Sequence, residues 1–471
     1  MPSAIPSSVH DESIPAAEHN DETVTIWADD DGSDACRFAA VAAAQQGFET
    51  RAVSGFSPEK AFTLAEAGLS YDFTEKLICR FLYVHGATCG RMIAREIGLP
   101  FRLIVPILSH LKNEMLLIYQ KTLPVGDYEY ALSDAGSERA KRFMSICTYA
   151  GTAPVRLDDY VASVAAQSLA LADIGMNELE KAFADVLLEP EMLRRLGPAV
   201  NAGRGMFLYG APGNGKTSIA ERVVRCFGSD IWIPRTIMVE GVCIRLFDPV
   251  LHEEIKSPDS TLLGETLEDG RWVRIRRPTV VVGGELTMDQ LELRHDPVSN
   301  VSEAPLQMKS NCGVLLIDDF GRQSMPVSQL LNRWIVPLEK RYDFQKLPTG
   351  KKIQVPFDQL VIFSTNLAPR DLVDEAFLRR LPYKIEIVDP TPDQFLRILL
   401  VVAPTLGVHP SEEQARRFIE NYFRPAGRPM RCCQPRDLVL QMRSFCRFHR
   451  RPVEFSDEAM EFAIQNYFAV M

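Results

Sequence analysis

Eight consecutive positions, Gly210-Ala211-Pro212-Gly213-Asn214-Gly215-Lys216-Thr217, place three glycines ahead of one ammonium and one hydroxyl group. The glycines let backbone N–H groups converge on phosphate oxygens with no side chain in the way. Lys216 would then reach the β- and γ-phosphates, and Thr217 would ligate Mg²⁺. The pattern carries weight only between a strand and a helix. That context is predicted here, because Met206 to Tyr209 is a short apolar run and Ser218 to Cys226 places Ile219, Val223 and Val224 on one helical face. A helix N-terminus at that point adds partial positive charge. About a hundred residues later, the unbroken apolar run Val314 to Ile317 reads as a buried parallel strand that ends in Asp318 and Asp319. Ligands of open α/β sheets sit at the C-terminal ends of the strands. Asp318 is therefore the candidate Mg²⁺-side carboxylate, with Thr217 as the second metal ligand.

Taken in order, these motifs resemble those of AAA+ ATPases, and the resemblance spans roughly Leu169 to Tyr467. It implies ATP and Mg²⁺ as cofactors and hydrolysis of ATP to ADP and phosphate. It also gives Asp319 the position that polarises the attacking water, where most members carry glutamate; a cap on the following helix is the alternative reading. The strand Leu360 to Ser364 ends at Thr365 and Asn366, which resembles sensor 1, although Asn366 also suits a turn at Ala368-Pro369. The segment Asp374 to Leu381 resembles the one that offers an arginine to the neighbouring subunit's nucleotide. Arg380, ahead of Arg379, is the candidate there, with a solvated arginine pair as the alternative. Gln434 to Leu438 resembles sensor 2 of the helical lid, with Arg436 leaning over the nucleotide or else paired to Asp437 or Glu412. Partners implied by the resemblance are copies of the chain itself, in a ring of hexamer size. Expected hairpins at Ile231 to Leu246 and Gln345 to Pro356 resemble features of MoxR-like ATPases, magnesium chelatase subunits and enhancer-binding activators. Leu316 to Gly321 is similar to IstB-like transposition helpers.

The elements that must position these groups follow from the rest of the 471-residue chain. Apolar residues make up 46% and charged residues 24%, the balance of a globular protein. The net charge of −10 speaks against a generally basic nucleic-acid coat, leaving any such binding to a local patch. No apolar run approaches the ~20 residues a bilayer span needs, so membrane insertion is not expected and the reading is cytoplasmic. The ten cysteines lack zinc spacing and read as reduced thiols.

Residues 1–57 concentrate Asp and Glu among Ser, Ala and Pro and read as a disordered acidic tail. Residues 58–147 show three short helical stretches and a hairpin. Asp72 is the expected cap of the first, and the third, begun at Pro100, should kink or start late at Pro106. This sequence is similar to the winged helix-turn-helix family, which implies outward groups at Arg102, Ser109, His110, Lys112 and Asn113 and a role in docking a protein client or DNA. Residues 148–168 read as a linker with a helical stretch, 169–390 as the α/β P-loop core, and 391–471 as the helical lid. Taken together, the expectation is an oligomeric ATPase that remodels or moves a protein or nucleic-acid client, with Thr349 to Lys352 as the client-facing loop. The alternative is an ATP-controlled DNA-binding regulator or transposition-helper-like protein.

Overall fold

The computed structural model describes residues 56–256, 268–373 and 375–469. The acidic tail, save for its last two positions, and Asp374 lie outside the described residues. In the N-terminal unit, helix Tyr71–His85 is capped by Ser70, whose hydroxyl accepts from the Phe73 N–H. Asp72, the expected cap, instead sits in the first turn and pairs with Lys76 at 2.6 Å. Helix Gly90–Ile97 has its N-terminal amides held by the buried Asp127 carboxylate, 3.1 Å from Gly90 N and 3.0 Å from Arg91 N. Helix Phe101–Asn113 runs unbroken through Pro106, so the late start does not occur. Pro106 lies on the exposed face, where its ring displaces no packed neighbour. Strands Leu117–Leu123 and Asp127–Leu132 form the expected hairpin, and a two-residue strand at Thr88–Cys89 joins its edge.

This unit is packed against a large insertion rather than strung on a free connector. Within residues 148–168, Val155–Arg156 pairs in parallel with Thr236–Val239, and helix Leu157–Ala166 buries Tyr160 and Val164. The insertion sheet runs Arg294–Asp296, Val301–Glu303, Val242–Arg245, Thr236–Val239, Val155–Arg156. Only its Thr236–Arg245 part is the hairpin expected from sequence. Asp230–Pro234 pairs instead with Trp272–Arg276, a partner too distant in sequence for a local pattern to reveal.

Docking is tight. A Cβ on Gly98, whose φ is +76°, would meet the Gly270 carbonyl carbon at 2.7 Å, so glycine is required at this crossing. The Tyr149 hydroxyl donates to Thr236 Oγ1 at 2.7 Å. Beside it, the Arg271 guanidinium grips Asp269 with bonds of 2.6 to 3.1 Å and donates to Ala67 O at 2.6 Å. Both charged side chains are at most 6% exposed.

The central sheet holds five parallel strands: β1 (Met206–Gly210), β2 (Thr279–Val282), β3 (Val314–Ile317), β4 (Leu360–Thr365) and β5 (Tyr383–Ile387). Their spatial order is β2-β3-β4-β1-β5. Both faces are covered, one by a cluster around Leu208, Ile219 and Leu316, the other by Phe207, Phe320, Trp334 and Phe363. Burial on both sides explains why these strands read as continuous apolar runs. Helix α1 (Lys216–Val223) follows β1, and α2 (Val327–Lys340) follows β3. Next, Tyr342–Lys346 and Lys352–Pro356 form a hairpin in which Lys351 pairs with Glu240 of the insertion at 2.7 Å. The chain closes with a bundle of α3 (Pro392–Thr405), α4 (Glu412–Tyr422), α5 (Gln434–Phe448) and α6 (Asp457–Tyr467) around Phe395, Phe418 and Met442. No described helix is long and apolar enough to cross a membrane.

Removing one member of a buried ion pair strands the other charge. Arg271→Ala is therefore expected to lower unfolding free energy by about 3–5 kcal/mol, read from urea denaturation followed by circular dichroism. A loss under ~1 kcal/mol, the range of surface pairs, would contradict the docking role.

Candidate functional site

Strand β1 delivers the chain to Gly210, the loop turns through Gly213, and α1 begins at Lys216, so the lysine starts the helix whose N-terminus faces the loop. Lys216 Nζ donates to Gly210 O at 3.1 Å, to Ala211 O at 3.0 Å and to Asn366 Oδ1 at 2.7 Å. Next to it, Thr217 Oγ1 donates to Asp318 Oδ2 at 2.6 Å. Asn366 Nδ2 in turn donates to Asp319 Oδ1 at 3.3 Å. Residues from β1, β3 and β4 thus meet in two hydrogen-bonded chains at the C-terminal edge of adjacent strands. This edge is where the direction of winding reverses around β1, with β4 on one side and β5 on the other.

Local structure also decides between the readings left open for two side chains. Asp319 does not cap the helix that follows: α2 begins at Val327 with Pro326 at its N-cap. Instead Asp319 is held at φ +47°, its N–H donating to Asp318 Oδ1 at 2.9 Å. The Gln323 amide clamps the turn by donating to the carbonyls of Asp318 at 3.0 Å and Asp319 at 3.2 Å. A non-glycine residue in that region carries backbone strain that its surroundings must hold, a common feature of functional positions. Asn366 caps no helix either, since the short helix at Pro369 has Ala368 at its N-cap with no side-chain cap, and Thr365 Oγ1 accepts the Leu367 N–H. Gln323 escaped the sequence reading because no spacing rule links it to the aspartates; only the turn brings it back.

The C-terminal bundle reaches over the phosphate loop. Gly213 O accepts from Cys433 N at 2.9 Å, and Asn214 Oδ1 accepts from Cys432 N at 3.3 Å. Asn214 Nδ2 donates to Asp389 Oδ1 at 2.7 Å, and Asp389 is ion-paired with Arg431. A Cβ on Gly213, φ +80°, would lie 2.5 Å from Cys433 Sγ, so this glycine is required by the contact. Arg436 lies in the first turn of α5, immediately beyond this junction, and Glu412, one of its two candidate partners, is engaged by Arg416 at 2.8 Å. Between loop and bundle lies a cleft of about 310 Å³ bordered by Leu188, Met192, Asn214, Val388, Ile398 and Cys432. Its mostly apolar walls beside a phosphate-type loop suit a flat heterocycle. Sequence reasoning missed this cleft entirely, because its walls come from four separate stretches with ordinary apolar residues. A larger cleft of about 650 Å³ lies in the insertion, but Lys309 there is already paired with Asp248 and Glu303.

Arg379 and Arg380 follow the short helix Glu375–Leu378. The Arg379 side chain is 79% exposed, its guanidinium 3.7 Å from Glu375. Arg380 is 31% exposed and turned onto Glu339 of α2 at 3.6 Å. Thr217 and Asp318 supply two hard oxygen ligands, which suits Mg²⁺, a cation that takes one or two protein ligands and fills the rest with water and phosphate.

Residues 391–466, the span of the C-terminal bundle, match a family described as a domain of unknown function (DUF8689). No curated protein matches the sequence. Among solved structures, the chain is similar to the Holliday junction branch migration motor RuvB of Thermotoga maritima, with 14% identity over 62% of this chain and 70% of that one and a TM-score of 0.33. A mutant form of the same protein gives 13%, 65%, 74% and 0.34. NtrX from Brucella abortus gives 12% identity over 55% of this chain and 51% of that one, with a TM-score of 0.34. Likeness at this level carries no chemistry, which rests on the residues themselves.

Burial depresses the Lys216 pKa below the ordinary lysine range, while Asp318 and Asp319 push it back up. An ammonium that attracts phosphate is lost as pH rises through that lowered value. Triphosphate affinity, measured by calorimetry across alkaline pH, is therefore expected to fall before the usual lysine value of about 10.4. Lys216→Arg should remove this alkaline limb, and an unchanged limb in that variant would assign it to another group.

Proposed function

We propose that this chain is an AAA+ ATPase that binds MgATP on the loop from Gly210 to Thr217 and hydrolyses it to drive movement of a client. The observation that supports this reading best is the convergence of Lys216, Asn366 and Asp319 in one hydrogen-bonded chain, beside the Thr217–Asp318 pair. Phosphoryl transfer is catalysed mainly by positioning and charge neutralisation, and each of these groups does one of those tasks. Lys216 and the loop amides grip the β- and γ-phosphates. Asp319 accepts a hydrogen bond from the attacking water, and Asn366 keeps that carboxylate oriented. Mg²⁺, held by Thr217 and Asp318, neutralises charge on the phosphate oxygens when bound. The adenine enters the cleft between Leu188 and Ile398, and Arg436 links the angle of the C-terminal bundle, acting as lid, to the state of the phosphates.

The arginines after Phe377 act on the nucleotide of the next copy in a ring, a hexamer by the family pattern. Exposure favours Arg379 for this role over Arg380, the reverse of the order the sequence favoured. In the N-terminal unit, three helices followed by a hairpin support the winged helix-turn-helix reading. Exposed Val105, Met115, Ile118 and Tyr119 on its outer side favour a protein client over DNA. Arg102 supports neither reading, because it stacks on Phe62.

Lys216→Ala removes charge-assisted bonds worth about 1.5–3 kcal/mol, so ATP affinity should fall roughly 10- to 100-fold. Asp319→Asn should keep ATP affinity yet lower turnover by about 10² to 10⁴. Full turnover in Asp319→Asn would reject its role at the water. Arg379→Ala mixed into wild-type protein should depress turnover per intact site, measured by phosphate release. Mixed assemblies that retain full activity per intact site would overturn the trans arrangement.

A further inference from the structure

The junction between the N-terminal unit and the insertion contains two thiols from different parts of the chain. Cys147 lies just past helix Asp134–Ile146, in extended backbone. Cys243 sits on strand Val242–Arg245, 2% exposed, within the same apolar cluster against which Cys147 packs. Their sulfurs are in hydrogen-bond contact. The backbone around the pair is strapped across the junction: Thr148 N donates to Ser299 O at 2.9 Å, and Asn300 Nδ2 donates to Ile146 O at 2.9 Å. The Cys147 thiol faces Asn300 O at 3.7 Å, and Arg80 donates to the Cys147 carbonyl at 3.1 Å. We propose that Cys147 and Cys243 form a hydroperoxide-oxidised thiol pair whose disulfide locks the N-terminal unit onto the insertion.

The two members differ in the way such chemistry requires. Cys147 is half-exposed, and its thiolate is stabilised by the Cys243 S–H, by the Tyr149 N–H and by the nearby Arg80 charge, so its pKa is lowered. Hydrogen bonding to the Cys147 thiolate and burial hold the Cys243 thiol protonated. A thiolate with partial access is the reactive form, whereas buried neutral thiols are inert. By contrast, burial pushes Cys79, Cys226 and Cys432 up to about 12. The steps balance. The Cys147 thiolate attacks one peroxide oxygen; an S–O bond forms, the O–O bond breaks, and water or an alcohol leaves with a proton from solvent. That product is a neutral sulfenic acid, so the negative charge that held Cys243 protonated is gone. Cys243 then attacks the sulfenic sulfur; the S–S bond forms, the S–O bond breaks, and its proton leaves with hydroxide as water. Two thiols lose two electrons in all, and the peroxide gains them. Sulfurs in hydrogen-bond contact are a side-chain rotation away from the ~2.05 Å of a disulfide.

The test uses the full chain treated with one equivalent of hydrogen peroxide, followed by non-reducing peptide mapping. A Cys147–Cys243 peptide that disappears on reduction is expected, and without peroxide Cys147 should be alkylated by iodoacetamide about tenfold faster than the buried thiols at neutral pH. Cys243→Ala should convert the product into a Cys147 sulfenic acid that dimedone traps. A disulfide joining a different pair, or no cross-link with Cys147 alkylated no faster than Cys79, overturns the proposal from the wild-type map alone.

Discussion

Lys216 is the group on which the site depends. It is largely buried, which works against its charge, and what keeps it charged and aimed are two backbone carbonyls of its own loop, the Asn366 amide, and the field of Asp318 and Asp319. Each of those partners arrives on a different strand. Their meeting therefore requires β1, β3 and β4 to lie side by side in parallel register, with C-terminal ends level. The aromatic packing of Phe207, Phe320 and Phe363 beneath them holds that register: Phe207 comes from β1, Phe363 from β4, and Phe320 from the turn after β3. The same core that buries the sheet thus sets the distances in the polar cluster above it.

A second constraint comes from the C-terminal bundle. Its contact with the phosphate loop is made by main-chain atoms at Gly213 and Cys433 and by a polar relay through Asn214, Asp389 and Arg431. Main-chain contact leaves no slack for a side chain at Gly213, so the loop and the bundle move as neighbours. Any change in the loop's conformation is felt at Cys432, Cys433 and the start of α5, where Arg436 sits. The apolar cleft opens along the same junction, so a ligand bridging it would touch both bodies.

The insertion between α1 and β3 gives the molecule its remaining character. It adds a sheet edge that recruits Val155–Arg156, buries the Arg271–Asp269 pair and shares an apolar core with the N-terminal unit. A unit held by a continuous core and a buried ion pair is carried rigidly by the body it rests on. Motion generated at the nucleotide site would reach it through the insertion rather than along a flexible tether.

Much of the site was legible from local pattern. The phosphate loop, the paired aspartates after an apolar strand and the Asn366 strand end each depend on residues adjacent in sequence, and adjacency survives folding. The hairpin from Tyr342 to Pro356 was legible for the same reason. Other features depend on which distant segments meet. Asp230–Pro234 turned from its neighbouring strand to one some forty residues away, because strand pairing is decided by the whole sheet. Ser70 displaced Asp72 as a cap because the helix began one residue earlier. Gln323, the Asn214–Asp389–Arg431 relay, the apolar cleft and the Cys147–Cys243 contact have no sequence signature at all. The sequence by itself determined which chemical groups are present and which strands and helices present them. The tertiary structure alone decided which of those groups touch, because hydrogen bonds and packing act over a few ångströms of space irrespective of separation along the chain.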